Sequence, residues 1–292
     1  MMPNSHRTLP YAASAAAGPA CDAGHTLQTA EAAAHDALMQ KFIGAFRFQV
    51  ASSQEDIDKA LALRHEVFIQ ELGYHMREKE GAPLETDGYD DTSVHCILIH
   101  RPTGKTAGCF RIVTTKAPGG KGFNKLPVEA HGSAGISHAT LHPRMLPQEQ
   151  ICEASRLAIA RGFRLKTNAD DTPLPQRYPA AALEETRDTY PLILVSLFLA
   201  AYSLAEILGN RHLYAMMSPT LPRLLRKSGF DFVRLGDAIE FHGKRNVFYI
   251  NRSLAGSGLQ HTLYPLHQHI YRELERQITD LPSAELTSRV AR

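Results

Sequence analysis

The stretch Ile151-Cys152-Glu153-Ala154-Ser155-Arg156-Leu157-Ala158-Ile159-Ala160 decides how this chain is read. Mostly apolar and poor in turn residues, it reads as a buried strand. Yet it carries a carboxylate, Glu153, and a guanidinium, Arg156. The two-residue period of a strand puts Glu153 and Ser155 on one face and Arg156 on the other, unless a bulge re-aims one of them. Charges in a core strand are costly unless paired or used. A structural Glu–Arg pair is one reading and a functional site the other; charged residues upstream weigh toward the site.

Outward from that strand, bulk properties narrow the field. The chain has 292 residues, 43% hydrophobic and 21% charged, so it can bury a sizeable core as one large domain or two small ones. A net charge of +2 gives no basis for nucleic-acid binding. Cys21, Cys96, Cys109 and Cys152 show no metal-ligand spacing, and no metal is expected. Three of them lie in apolar runs as free thiols, which suits a reducing cytoplasm. Residues 1–25 lack the apolar core of a signal peptide and read as a disordered arm. Pro191 to Gly209 nearly reaches the length of a bilayer span, but Ser196, Tyr202, Ser203 and Glu206 make a buried helix of a soluble domain the expected reading. No transmembrane segment is expected; peripheral membrane contact stays open.

The remaining pattern is that of an α/β domain. Thr26 to Phe46 reads as a helix, Phe46 to Val50 as a strand, and Ser52-Ser53 as the cap of a helix that runs to Gly73. An acidic loop, Glu85-Thr86-Asp87-Gly88-Tyr89-Asp90-Asp91, precedes two strands, Val94 to His100 and Ala107 to Thr115, joined as a hairpin. Residues 116–150 read as a long loop and 167–179 as a surface excursion. A helix at 184–208, a strand at 212–217 and a short helix at 219–228 follow. Strands at 230–235, 238–242 and 246–251 precede a tail helix at 265–278. Together they predict a mixed, mostly antiparallel sheet with helices on both faces.

Four stretches then resemble one family. Leu63-Arg64-His65-Glu66-Val67-Phe68-Ile69-Gln70-Glu71-Leu72-Gly73-Tyr74, the loop Glu85 to Asp90, Gly108-Cys109-Phe110-Arg111-Ile112 and Glu153-Ala154-Ser155-Arg156 are similar to motifs of the autoinducer-synthase-like branch of the GNAT acyltransferases. They stand in the family's order. The likeness is nearest to N-acyl amino acid synthases and exosortase-associated acyltransferases. Homoserine-lactone synthases carry a Trp where Tyr74 stands, and this chain has none. The resemblance implies a GNAT-like fold over residues 45–252, after an arm (1–44) that is partly disordered with a helix, and before a helical tail (253–292).

It also implies roles. Glu153, Arg111, Asp87 and Asp90 fall on catalytic positions, and Arg64, Phe68, Arg156 and Ser155 on substrate-binding ones. Acidic and basic partners from a helix, a loop and two strands can form one charge-balanced network. The implied reaction moves a fatty acyl group from a thioester to the amine of an amino acid, with Glu153 as base. An arginine, Arg64, Arg111 or Arg156, would clamp the acceptor's carboxylate. No tightly bound cofactor is expected; the donor is an acyl-phosphopantetheine thioester. Coenzyme-A users of this kind place a glycine-rich pyrophosphate turn after the central strand. Here the strand runs into Arg161-Gly162-Phe163-Arg164, so acyl carrier protein fits better than acyl-CoA. Two basic clusters, Arg223, Arg226 and Lys227, and Arg161 and Arg164, are candidates to dock that acidic partner. The alternatives are a lactone-forming synthase using S-adenosylmethionine and a non-catalytic module that binds acyl carrier protein.

Overall fold

The computed structural model describes residues 22–115, 125–164, 180–252, 259 and 261–281. Helix α1 (Asp22–Ala45) runs directly into β1 (Phe46–Val50), whose alternate residues Phe46, Phe48 and Val50 are buried. Ser53 caps α2 (Gln54–Arg64) by accepting the Asp56 N–H at 3.1 Å. The helix then widens into a π-helical turn, His65–Glu71, and Gly73 ends it at φ +66°, a left-handed conformation that costs glycine little. The hairpin of β2 (Ser93–His100) and β3 (Lys105–Thr114) follows. After it come α3 (Pro127–His131), β4 (Ile151–Ile159), α4 (Ala180–Thr186) and α5 (Tyr190–Ile207). The rest is β5 (His212–Met217), α6 (Leu221–Arg226), β6 (Val233–Arg234), β7 (Ile239–Glu240), β8 (Lys244–Asn251) and α7 (Tyr264–Asp280).

The strands form one sheet in the order β1-β2-β3-β4-β5-β8-β6, with β7 paired to β8. Every pairing is antiparallel except β4 with β5. That parallel ladder is short: Ile151, Cys152 and Glu153 face His212, Leu213 and Tyr214, and then the strands part. Helices cover both faces, as successive residues of β3 show. A Cβ on Gly108 would lie 2.9 Å from Leu197 of α5, whereas Cys109 Sγ lies 3.8 Å from the Ala60 carbonyl of α2. The expected α/β architecture, mixed and mostly antiparallel, is thus observed.

Helix α5 starts where Pro191 sets the first turn, since proline needs no backbone donor there. The stretch Leu183–Ile207 is long and apolar enough to cross a membrane by length and composition, but most of it is buried inside the fold. Leu197, Ala200 and Leu204 have no exposed surface. Here it is the core helix. Cys96, Cys109 and Cys152 are free thiols, all buried.

Helix α7 has a second duty at the sheet edge. Among the described residues strand β1 has one strand neighbour, so its outer N–H and C=O groups need other partners. Phe48 N–H donates to Glu273 at 3.0 Å and Val50 N–H to Gln277 Oε1 at 2.9 Å. Gln277 Nε2 returns a bond to the Phe48 carbonyl at 3.0 Å. Two helical side chains thus stand in for a neighbouring strand.

Some expected elements change. Of the expected loop 116–150, residues 125–150 hold α3 and several 3₁₀ turns, and bury Leu126, Val128 and Ile136 against Tyr214 and Val247. This segment approaches the chain near Gly236 so closely that a Cβ there would lie 2.4 Å from the Gly135 carbonyl. The strands expected at 230–235 and 238–242 shrink to two residues each, because Phe230, Phe232 and Leu235 fill cores instead of extending a ladder. The excursion at 167–179 and residues 1–21 of the amino-terminal arm lie outside the described residues, while 22–25, expected in the disordered part of that arm, belong to α1.

Gln277→Ala removes two bonds to the β1 edge at once. It should lower stability by about 1–3 kcal/mol, read as a shift in the denaturant midpoint, whereas Arg276→Ala on the exposed side of the same helix should change it little.

Candidate active site

The centre of the molecule is a set of three guanidinia and three carboxylates. Arg64, in the last turn of α2, pairs with Glu85 and binds Asp90 with two nitrogens, at 2.6 and 3.1 Å. Arg111 of β3 grips Asp87 through both terminal nitrogens, at 2.6 and 2.7 Å, and reaches Asp90 at 2.5 Å. Its Nε donates to Ser155 Oγ at 3.1 Å. Arg156 of β4 binds Asp87 at 2.7 Å and Glu85 at 3.2 Å. The loop holds its own acids in place: Asp87 N–H and Thr86 Oγ1 donate to Asp90, and Tyr89 N–H to Asp87. Arg64 and Arg111 are 1% and 0% exposed, so only full pairing makes these charges tolerable.

Arg156 joins the set because β4 bulges. Cys109 pairs with Ala158 but Arg111 pairs with Ser155, so β4 spends one residue more than β3 between the two pairs. Arg156 takes up the excess at φ +56°, a conformation uncommon for any residue but glycine. The bulge reverses its facing, and Arg156 meets the same carboxylates as Arg111. Of the two arrangements the strand period allowed, this is the bulged one.

Burial opposes ionisation of Asp87 and Asp90, but the arginines prevail and hold both carboxyls well below the usual carboxylate range. His95, beside Asp90, is held near 4 by burial, against the pull of that carboxylate, and is a neutral neighbour of the network. Glu153 behaves oppositely. It is 2% exposed, and burial pushes its carboxyl up to about 8, although the Val128 N–H at 2.7 Å and the nearby Arg111 and Arg156 favour the charged form. Folding therefore holds a proton on Glu153 that the unfolded chain releases near its ordinary value. This group costs stability increasingly as pH rises from that value to about 8, with the full cost above it.

Glu153 also occupies the last pair of the β4–β5 ladder, opposite Tyr214. Just beyond, the two strands diverge around a cavity of about 300 Å³ lined by Glu153 to Leu157 of β4 and Ala215 to Ser218 across β5 and the residue after it. Phe198 and Ala201 of α5 line it from one side of the sheet, Phe68 and Tyr74 from the other. The cleft has an apolar part toward α5 and a polar part where Glu153, Ser155, Arg156, His242 and Arg245 meet. Backbone groups of β4 beyond Glu153 lose their β5 partners and border it.

The sequence-derived residues divide by position. Glu153, Ser155, Arg156 and Phe68 line the cleft. Arg64, Arg111, Asp87 and Asp90 lie behind them in the ionic set and are not part of the lining, so among these arginines only Arg156 borders the space a substrate would fill. Cys152 points into the core, its thiol pushed up by burial. The basic helix α6 follows β5 at the same end of the cleft: Leu221 lines the cavity, while Arg223, Arg226 and Lys227 are exposed around Leu224, itself 58% exposed. The turn after β4 is no anion cradle. It buries Phe163 against His100 and Tyr190, while Arg164 pairs with Glu71 and donates to the Ile159 carbonyl at 2.8 Å. Glu85 is an ionic partner that sequence reasoning quoted but gave no role. Arg245 and His242 were missed: His242 was placed inside the strand expected at 238–242, and Arg245 fell between the two expected strands, where β8 in fact begins.

Residues 63–171 match the acetyltransferase (GNAT) domain family. That span holds Arg64, the acidic loop, Arg111 and the whole of β4. Among solved structures, the chain is similar to the N-acyl amino acid synthase FeeM from uncultured soil microbes (12% identity, 77% of this chain and 97% of that one, TM-score 0.49). It is also similar to the CoA-dependent acyl-homoserine lactone synthase BjaI (18% identity, 77% and 89%, TM-score 0.49) and the acyl-homoserine lactone synthase LasI (18% identity, 75% and 95%, TM-score 0.48). No curated protein sequence matches.

Arg64→Met would leave Glu85 and Asp90 short of a buried cation. It should destabilise the fold by roughly 3–5 kcal/mol, measured by denaturant unfolding, and an effect below 1 kcal/mol would show that the set is not held as a unit.

Proposed function

We propose that this chain, which carries a GNAT acyltransferase domain over residues 63–171, transfers a fatty acyl group from a thioester to the amine of an amino acid and releases an N-acyl amino acid. The observation that carries the reading is the buried acid Glu153 at the vertex of a cleft between parting strands, apolar on its α5 side. Such a space accepts an acyl chain from one side and a polar amine at the other.

An amino acid arrives with its amine protonated, and an ammonium is not a nucleophile. Glu153 in its carboxylate form accepts that proton, directly or through one water. With a pKa near 8 it binds the proton more firmly than an ordinary carboxylate does, which brings donor and acceptor closer to balance. The freed nitrogen attacks the thioester carbonyl and a C–N bond forms; the C–S bond then breaks, and the second proton of that nitrogen passes to the departing sulfur, which leaves as the thiol. Backbone amides of β4 beyond Glu153 can polarise the carbonyl oxygen. The network behind the strand fixes Ser155 and Arg156 and so sets the shape of the polar wall.

The donor in this reading is acyl carrier protein, presenting its acyl-phosphopantetheine arm in the cytoplasm. What supports it is the exposed Leu224 ringed by Arg223, Arg226 and Lys227 at the mouth of the cleft, together with a turn after β4 that buries an aromatic ring where a pyrophosphate would sit. An acidic carrier would be steered by that charge.

The test is product analysis. Purified protein is given carrier-bound and CoA-bound acyl donors of several lengths with the twenty amino acids, and N-acyl products and free thiol are measured by mass spectrometry. The expected outcome is an N-acyl amino acid, lost about 10²–10⁴-fold in a folded Glu153→Gln variant. Reversing Arg223 and Arg226 to Glu should raise KM for the carrier-bound donor at low salt only. Methylthioadenosine release from S-adenosylmethionine would replace this reading by the lactone synthase. Tight donor binding with no thiol release would leave a binding module.

A further inference from the structure

The cleft holds a guanidinium that the ionic set leaves out. We propose that Arg245, on the hairpin of β7 and β8, is the residue that binds the acceptor's carboxylate and so selects an anionic acceptor. The inference rests on the acyltransferase reading and names the specificity residue of that site.

Charge accounting comes first. Arg64, Arg111 and Arg156 are matched by Glu85, Asp87 and Asp90, so Arg156 borders the cleft with its charge already answered. Arg245 lines the same cleft, half-buried, and among the described residues it forms no ion pair. Its Nη2 donates to the Tyr74 hydroxyl at 3.0 Å and its Nη1 to the Lys244 carbonyl at 3.0 Å. Both acceptors are neutral. They aim the guanidinium without cancelling it. Glu153 lines the same cleft, but the guanidinia that act on it are Arg111 and Arg156, and it forms no ion pair with Arg245. On the same wall the His242 imidazole is held below its ordinary value by burial and then by Arg156, Arg245 and His75, the mark of a locally positive field.

The hairpin is also built to hold this arginine still. Its turn takes His242 to φ +51° and Gly243 to φ +86°. A histidine persists there only when its surroundings fix it. The His242 ring stacks on Tyr74 at 4.5 Å, and Phe241 stacks on His131 of α3 at 5.4 Å. The turn is therefore fastened to two separate segments, and Tyr74 serves twice, as ring partner of His242 and as acceptor for Arg245. A guanidinium already oriented loses little freedom when it takes a carboxylate in its fork. A zwitterionic acceptor then meets both ends of the polar wall, its ammonium toward Glu153 and its carboxylate toward Arg245. A simple amine leaves the guanidinium without an anion.

Calorimetric titration of the full chain with N-dodecanoylglycine and with N-dodecanoylglycinamide tests this without requiring turnover. The wild-type protein should prefer the acid about 10- to 100-fold. Arg245→Gln should reduce that preference to near unity while leaving amide affinity unchanged, which also certifies the variant's fold. Arg245→Lys, which keeps the charge but not the fork, should fall between. Wild-type protein that binds neither ligand or both alike, or a glutamine variant that keeps the preference, overturns the assignment. Acid preference through Arg245 in a protein that makes no N-acyl amino acid from any donor would instead contradict the acyltransferase reading and leave the subsite standing.

Discussion

Everything in this fold turns on the pairing of three arginines with three carboxylates, four of the six buried, and on the one left-handed residue that completes it. Arg64 and Arg111 are almost wholly removed from water, a cost no protein bears unless each charge is answered at short range. The answer comes from one loop, whose Glu85, Asp87 and Asp90 are shared between a helix end and two strands. Arg156 supplies the third cation only because β4 bulges and turns it to φ +56°. The same strand that closes the ionic set therefore bends, and it is the strand that parts from β5. Charge balance and cleft are two consequences of one irregular strand.

From this follows the division of labour around the site. Within the ionic set Arg64 and Arg111 lie behind the strand and position the wall, and only Arg156 reaches the cleft. Glu153 belongs to the other environment, the apolar cluster of Val113, Val128 and Tyr214, where nothing answers a full negative charge as completely. Two sets of carboxyls, one from the acidic loop and one from β4, are thus driven in opposite directions: Asp87 and Asp90 downward by guanidinia, Glu153 upward by burial. Such divergence between neighbouring acids is how proteins separate structural charges from groups that exchange protons.

Much of this was legible in the sequence, and the parts that were not share a physical cause. Strand β4, the hairpin of β2 and β3, the Ser53 cap and the tail helix announce themselves by period, turn or cap chemistry. The charged residues of four motifs could be read as one network, and Arg64, Arg111, Arg156, Asp87 and Asp90 do converge. What periodicity cannot show is a bulge placed on an arginine, because no glycine or asparagine marks it; hence the facing of Arg156 stayed open. Nor does a motif tell which of its arginines stands behind the strand and which borders the cleft, since that depends on packing between distant segments. Glu85 and Arg245 were overlooked for related reasons. One was a member of a motif whose partners lie far along the chain, the other a residue that fell between two expected strands, where β8 in fact begins. The segment 125–150 gave little pattern because its apolar residues are set by 3₁₀ turns and not by a helix or strand period.

The central claim is that the fold holds Glu153 as a buried acid ready to exchange a proton at the vertex of the cleft. Carbon-13 NMR of selectively labelled glutamate carboxyls, with Glu153→Gln to identify the signal, measures this directly. In the folded protein the Glu153 carboxyl should titrate near 8. Titration in the ordinary glutamate range, about 4.3, would contradict it and return Glu153 to the role of a solvated or fully paired structural charge.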